Sequence, residues 1–398
     1  MKNWLLPFFI VLFPQFTLAI IQHGKLVLAP IFIVNAGLPQ EIVGIIGGLG
    51  GLGSVWCFAS NKNVVPVIGP LNSLILGCIL APLGIILFGF EKPILYFIAA
   101  PIVGYGYALT AASGSQILAS YTPKEIWGTL FSLRMAGVPL GGAVAGIICA
   151  NIETNSDLKF VLLFLIMPAI LTGFFLIANR KKFKHNFLKI SVIKLFDFSQ
   201  FKQPFIVLAK IPGLKIITIV SICYAAIQGS VFTFLTTFLI YELKFPIILA
   251  SSFYAVMQLS SMFGRIFLGI ISDKVFNSRI VLFMLGILSF ISMISLSTLN
   301  FQPSNLYMYL IVSLIGISVA SWNGLFMAEV SVISKNYDIS ESTSASTFFT
   351  FLSYMLSPPL FAGVIFLTNF KIAFIVFSLF GLLASFSILY IFFMEKNK

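Results

Sequence analysis

Charged residues are scarce in this chain: Asp, Glu, Lys and Arg make up only 9% of 398 positions, against about a quarter in water-soluble domains. That excludes a water-soluble enzyme. Histidine is scarcer still, and His23 and His185 are too few and too far apart for a metal centre. The four cysteines, Cys57, Cys78, Cys149 and Cys223, lie scattered in apolar stretches without Cys-x-x-Cys spacing. They read as small buried hydrophobes and imply neither disulfide nor metal. No Gly-x-x-x-x-Gly-Lys-Ser/Thr run occurs, and no cluster of His, Asp and Glu gathers at one interface as a membrane-embedded enzyme would need. The expectation is a protein that is not an enzyme and holds no cofactor. Segments alternating apolar and polar over about ten residues, the mark of a membrane β-barrel, are missing as well.

Apolar sequence is what remains, with 59% hydrophobic and 15% aromatic residues and a mean hydropathy of +1.06. It comes in continuous runs of about twenty residues, the length that crosses a hydrocarbon layer of about 30 Å as a helix. Candidate spans fall near 5–34, 42–59, 72–90, 94–120, 127–150, 159–178, 213–240, 246–271, 280–299, 306–332, 343–367 and 371–393, twelve in all. The fold class is therefore an all-α polytopic membrane protein. Lys2 before an apolar run that reaches a small-residue site near Ala19 mimics a secretory signal, but apolar sequence continues to about Val34, too long for one.

An even number of spans puts both termini on one side. Seventeen Lys and Arg residues fall on that side and four (Lys92, Lys159, Lys244, Lys371) on the other, so the positive-inside rule makes the terminal side cytoplasmic. The longest break, residues 179–212, carries Arg180, Lys181, Lys182, Lys184, Lys189, Lys194, Lys202 and Lys210 against a single Asp197. It reads as a topogenic linker between an N-terminal bundle of residues 1–178 and a C-terminal bundle of residues 213–398. The formal charge of +12 thus reflects topology, not nucleic-acid binding: the inner face carries +11, the outer face −1 and the spans +2. Abundant Phe, Ile, Lys and Asn fit an AT-rich bacterial genome, and so a multi-pass protein of the bacterial inner membrane.

The two halves look like repeats, the usual construction of a secondary transporter. Ile21-Gln22 of span 1 matches Ile227-Gln228 of span 7. Gly106 and Ala112-Ser113-Gly114 of span 4 match Gly316 and Trp322-Asn323-Gly324 of span 10, and Val138-Pro139-Leu140 of span 5 matches Ser357-Pro358-Pro359 of span 11. The offsets of 206, 210 and 219 drift only through loop lengths.

Two motifs carry a family resemblance. Gly264-Arg265-Ile266-Phe267-Leu268-Gly269-Ile270-Ile271-Ser272-Asp273-Lys274, followed by Arg279, resembles the loop signature of the major facilitator superfamily. Gly128, followed by Gly137-Val138-Pro139-Leu140-Gly141-Gly142, resembles a shortened form of that superfamily's span 5 motif. The resemblance implies twelve helices in two six-helix bundles related by a pseudo-twofold axis. The same loop signature is expected between spans 2 and 3, yet Ser60-Asn61-Lys62-Asn63-Val64-Val65-Pro66 has no acid. The gating contacts implied are therefore Asp273, Lys274 and Arg279, with Glu329 as a charge partner for Arg279 or Lys274. Glu329 lies six residues before Lys335, about 9 Å of helix, so it sits near the inner end of span 10.

Three cations fall deep inside spans. Arg265 is eight residues from Asp273, about 12 Å of helix, while Lys25 and Arg134 are each ten residues from a span end, about 15 Å. All three converge on the midplane, where a charge costs several kcal/mol unless it meets a cavity or a partner. An interior with excess positive charge suits an anion, and arginine's planar fork suits carboxylate-like groups. Arg265, eight residues before the span 8 aspartate, is similar to the arrangement in nitrate/nitrite carriers and also resembles oxalate/formate, cyanate and monocarboxylate carriers. The nitrate carriers' second arginine, implied in span 2, is absent from the glycine-rich run Gly44 to Gly53, which reads as a helix-packing surface. Gln22 and Lys25, three residues apart, share a helix face, whereas His23 points elsewhere and is a packing or proton-handling residue.

The expected function is secondary transport of a small organic or inorganic anion, proton-coupled or by exchange, in a monomer. Its substrate ligands would be Arg265, Arg134, Lys25, Gln22, Gln228, Asn323, Trp322 and Tyr105, with Asp273, Lys274, Arg279 and Glu329 gating and His23 or Glu329 carrying protons. Tyr107, Gln116 and Tyr224 complete the candidates on spans 4 and 7. The alternative is an efflux pump for drugs or for neutral or cationic metabolites; exporters of cationic compounds need an acid at the midplane, and none lies there in this chain.

Overall fold

The computed structural model describes residues 4–123, 126–151, 155–183, 202–300, 303–337 and 339–396. Among these residues the chain is helical, without strands. The helices are α1 (Leu5–Val27), α2 (Ala29–Asn35), α3 (Ile42–Ile68), α4 (Pro70–Phe88), α5 (Pro93–Tyr121), α6 (Trp127–Cys149) and α7 (Asn155–Asn179). They continue with α8 (Gln203–Lys210), α9 (Leu214–Tyr241), α10 (Ile247–Lys274), α11 (Ser278–Ser297), α12 (Asn305–Ala320), α13 (Asn323–Ile333), α14 (Ile339–Leu367) and α15 (Phe370–Lys396). Eleven stretches among the described residues are long and apolar enough to cross a membrane, α12 and α13 counting as one, and Leu133–Cys149 of α6 adds a shorter apolar helix. Most of the basic linker, residues 184–201, lies outside the described residues.

Local signals set the helix ends. Proline opens α4 and α5, where the missing N–H would have had no helical partner anyway. Asn277 accepts a hydrogen bond from the Ile280 amide at 2.9 Å and caps α11. Two spans that look continuous by hydropathy are broken. The first splits at Leu28, because Pro30 in the first turn of α2 has no N–H to carry the ladder onward. The tenth splits at Ser321–Trp322, where no proline intervenes and the side chain of Ser321 bonds the Gly316 carbonyl at 3.0 Å.

The chain divides into two compact units: residues 1–39 with 49–200, and residues 40–48 with 201–398. Each repeats one packing scheme. In the first, α1 packs on α6 and α4 on α7; in the second, α9 packs on α14 and α11 on α15. Within the first unit α3 and α5 approach so closely that a methyl at Gly104 would run into the Gly50 backbone, and one at Gly53 into the Pro101 carbonyl. The glycine-rich run is a packing surface, as its composition suggested. The aromatic rings of Phe32, Phe88 and Tyr96 stack behind the broken first span, and the Tyr96 hydroxyl donates to the Phe32 carbonyl at 3.0 Å. In the second unit hydroxyls join α9 to α14: Thr218 meets Ser346 and Thr350 donates to Ser221, each at 2.9 Å. Large exposed apolar side chains such as Phe164, Leu171 and Phe174 on α7, or Phe263 and Phe267 on α10, clothe the outside. That surface suits a hydrocarbon solvent.

Candidate functional site

Counting residues from the span ends predicts Lys25, Arg134 and Arg265 at a common depth, and the side-chain geometry separates them. Arg134 on α6 is buried and reaches α5, donating from Nη2 to the Thr110 and Ala111 carbonyls at 2.8 and 2.9 Å. It also donates from Nη1 to Ser115 Oγ at 2.9 Å and from Nη2 to Gln15 Oε1 at 3.1 Å. Arg265 on α10 donates from Nε and Nη2 to the Ala320 carbonyl, at 3.1 and 3.0 Å, at the break between α12 and α13. Ser261 donates to the same carbonyl at 2.9 Å, and Ser321 returns a bond to the Ser261 carbonyl at 3.1 Å. Thr110 and Ala320 stand 210 residues apart, the offset that relates Gly106 to Gly316. Two arginines from different helices thus engage the same repeat-related carbonyl, one in each unit.

Lys25 is placed differently. Its side chain lies on α1 with the residue 1% exposed, and among the described residues its Nζ finds only Gln22 Oε1, at a long 3.4 Å. Among the described residues no carboxylate lies within 4.0 Å of it. Gly50 of α3 forms the wall beside it, since a Cβ there would lie 2.6 Å from Nζ. Gln22 and Lys25 do share a face, and His23 is buried on another side of α1.

The second unit offers amide and aromatic groups. Gln228 Oε1 accepts from Trp322 Nε1 at 2.9 Å and from the Tyr354 hydroxyl at 2.6 Å. Trp322 is fully buried and stacks on Tyr224 with centroids 5.4 Å apart, while the Tyr224 hydroxyl donates to the Leu282 carbonyl. Asn323 keeps a sealed Oδ1 without a partner among the described residues. Nothing lies within 4 Å of a Cβ built at Gly324, whereas Gly316 packs against the Met257 carbonyl. In the first unit Tyr105 is half-buried, with its hydroxyl 3.2 Å from Ser60 Oγ.

Of the four gating candidates, two come together. Arg279 Nε donates to Glu329 Oε2 at 2.7 Å and Ser278 donates to Oε1 at 2.5 Å, joining α11 to α13. Asp273 and Lys274, at the end of α10, are exposed. Sequence reasoning missed Gln15, Ser115, Ser261, Ser278 and Tyr354. Each is a polar side chain in or beside an apolar run, and that is the only signal that could have picked it out.

A family model described as Major Facilitator Superfamily matches residues 26–358. The chain belongs to that superfamily. Solved transporter structures share its fold over nearly its whole length. A POT family transporter in complex with 5-aminolevulinic acid aligns at 13% identity and a TM-score of 0.77, covering 98% of this chain and 96% of that one. The nucleoside transporter NupG aligns at 15% identity and a TM-score of 0.74, with 98% and 100% covered. FucP in the outward conformation aligns at 13% and 0.65, with 97% and 99% covered. At such identities the likeness establishes the fold alone. No curated protein matches by sequence. As a major facilitator protein the chain is a multi-pass membrane transporter, not a catalytic enzyme.

Proposed function

We propose that this protein is a secondary transporter of a small organic or inorganic anion, with Lys25 as the principal electrostatic ligand. The observation that carries the reading is the Lys25 ammonium: buried, held by one 3.4 Å hydrogen bond, and without a carboxylate within 4.0 Å among the described residues. Leaving a charge so placed costs several kcal/mol, which an anionic ligand offsets. Arg134, in the same unit, adds positive potential, and Arg134 and Arg265, each with donors on backbone carbonyls, hold helices of their own units in place. In this reading Arg265 is a supporting residue and not the main ligand. The one deep carboxylate, Glu329, has both oxygens engaged by Ser278 and Arg279. That suits a latch better than a proton carrier, and it leaves no acid for a cationic cargo. The protein acts as a monomer in the bacterial inner membrane, with both termini in the cytoplasm.

The test is uptake into proteoliposomes across a panel of small inorganic anions, carboxylates, neutral solutes and cations. Wild type should carry one or more anions, and Lys25→Met should lower that uptake at least about a hundredfold, about 2.7 kcal/mol. Counterflow against a preloaded anion, compared with an imposed proton gradient, separates exchange from proton coupling. Wild type that carries only cations, or anion uptake that survives Lys25→Met, sinks the reading.

A further inference from the structure

The repeat-related glutamines share a feature that their spacing alone does not show. In the second unit Gln228 Oε1 is fixed by Trp322 Nε1 at 2.9 Å, and an indole nitrogen can only donate. The amide orientation is thereby determined, and Tyr354, 2.6 Å from the same oxygen, must donate too. The Nε2 group, with two N–H donors, is left facing away from both. In the first unit Gln22 Oε1 faces the Lys25 ammonium, also a pure donor, so its Nε2 is left on the side away from Lys25. Neither nitrogen has an acceptor among the described residues, and neither belongs to the sealed, partnerless polar atoms. Each unit therefore presents one primary amide with its oxygen occupied from within and its N–H pair open.

We infer that the Gln22 and Gln228 Nε2 groups are hydrogen-bond donor subsites for acceptor oxygens of the transported solute, each serving its own unit. This deepens the anion reading and rests on it: Lys25 supplies charge, while the amides select for oxygens that accept. The oriented Gln228 amide, fixed by Trp322 and Tyr354, turns a residue that can donate or accept into one that only donates. A solute group bearing N–H donors at that point is rejected.

The test is made at Gln228, because Gln22→Glu would also neutralise Lys25. Gln228→Glu keeps an oxygen for Trp322 and Tyr354, turns the outward group from donor to acceptor and adds a negative charge, so a rise in KM for an anion combines the lost donor with repulsion, and Tyr354→Phe, which changes no charge, separates the two. Gln228→Met removes the outward donor without charge but also strips both internal bonds. A merely structural role makes Met the worse variant in both stability and transport. A donor role splits the two readouts: Gln228→Met has the lower unfolding temperature, while Gln228→Glu has the worse transport. Uptake in proteoliposomes is measured with whichever solute wild type carries, and KM for Gln228→Glu should rise at least about thirtyfold. If Gln228→Glu will not fold, Tyr354→Phe leaves the amide in place with one restraint fewer and should raise KM about threefold with Vmax unchanged. A wild-type KM in Gln228→Glu, transport that ranks as stability does, or a wild-type KM in Tyr354→Phe overturns the inference. When Lys25→Met alone abolishes anion uptake and Gln228→Glu does not reduce it, the anion reading stands and only the amide subsites fall.

Discussion

Replacing either member of the Arg279–Glu329 pair should destabilise the protein more than replacing both. The residues' side chains are 10% and 4% exposed and their charged atoms approach to 2.7 Å. Two unit charges about 4 Å apart at an effective dielectric of about 20 attract by about 4 kcal/mol, and that attraction offsets the cost of taking both out of water. Arg279→Met leaves Glu329 buried with only the Ser278 hydroxyl, and Glu329→Gln leaves a buried guanidinium facing a neutral amide. Each single variant should therefore lose about 3–5 kcal/mol, the range for breaking a buried pair from one side. The double variant removes both charges together, so its loss should be smaller than either single loss. The assay is unfolding by SDS titration in mixed micelles, run as a double-mutant cycle on the four proteins. Additive losses, with the double variant weaker by the sum of the singles, would show that the two residues stabilise separate contacts and would refute the latch.

The helix contacts make further expectations. Gly324→Ala should be tolerated or stabilising by up to about 1 kcal/mol, since nothing lies within 4 Å of the added methyl in α13, whereas Gly104→Ala should prevent monodisperse expression because the methyl meets the Gly50 backbone; fluorescence-detected gel filtration distinguishes them. Ser261→Ala removes one of the donors on the Ala320 carbonyl and should lower stability by about 1 kcal/mol, and in Arg265→Leu the loss should be larger; an unchanged unfolding temperature in both would remove the carbonyl contact as their role.

The length and continuity of apolar runs made the number and placement of the spans legible, because a helix in lipid must satisfy its backbone internally over about 20 residues. Hydropathy is blind to breaks within a run. Pro30 was visible at Leu28, yet apolar sequence continued across it, and Ser321–Trp322 carries no proline at all. That second break is tolerated because α10 supplies Ser261 and Arg265 to the Ala320 carbonyl, a partnership between residues about 55–60 apart that no local pattern encodes. The same limit applies to charge. Counting residues from a span end gives depth, but azimuth decides whether an arginine meets a solute or a neighbouring backbone. The choice between Arg279 and Lys274 as partner of Glu329 stayed open for this reason: both lie near the right depth, and only the turn between α10 and α11 buries one and exposes the other.

Within the spans the sequence shows three cations and one acid, but an excess of charge does not say which residue holds it. Arg134 and Arg265 are each fixed to a carbonyl that occupies the same place in the repeat, 110 in one unit and 320 in the other, although they come from α6 and α10. The two units therefore place a cation at corresponding carbonyls from different helices, which is what a structural requirement of the backbone produces. Lys25 has no counterpart in the second unit: 206 residues on, its position is held by Val231, a neutral side chain. A cation required by the repeated architecture should recur in both halves, as the carbonyl contacts do. One that occurs in a single half, beside an amide that does recur, is set apart from the scaffold, and this asymmetry is what the proposed role of Lys25 as a solute ligand predicts.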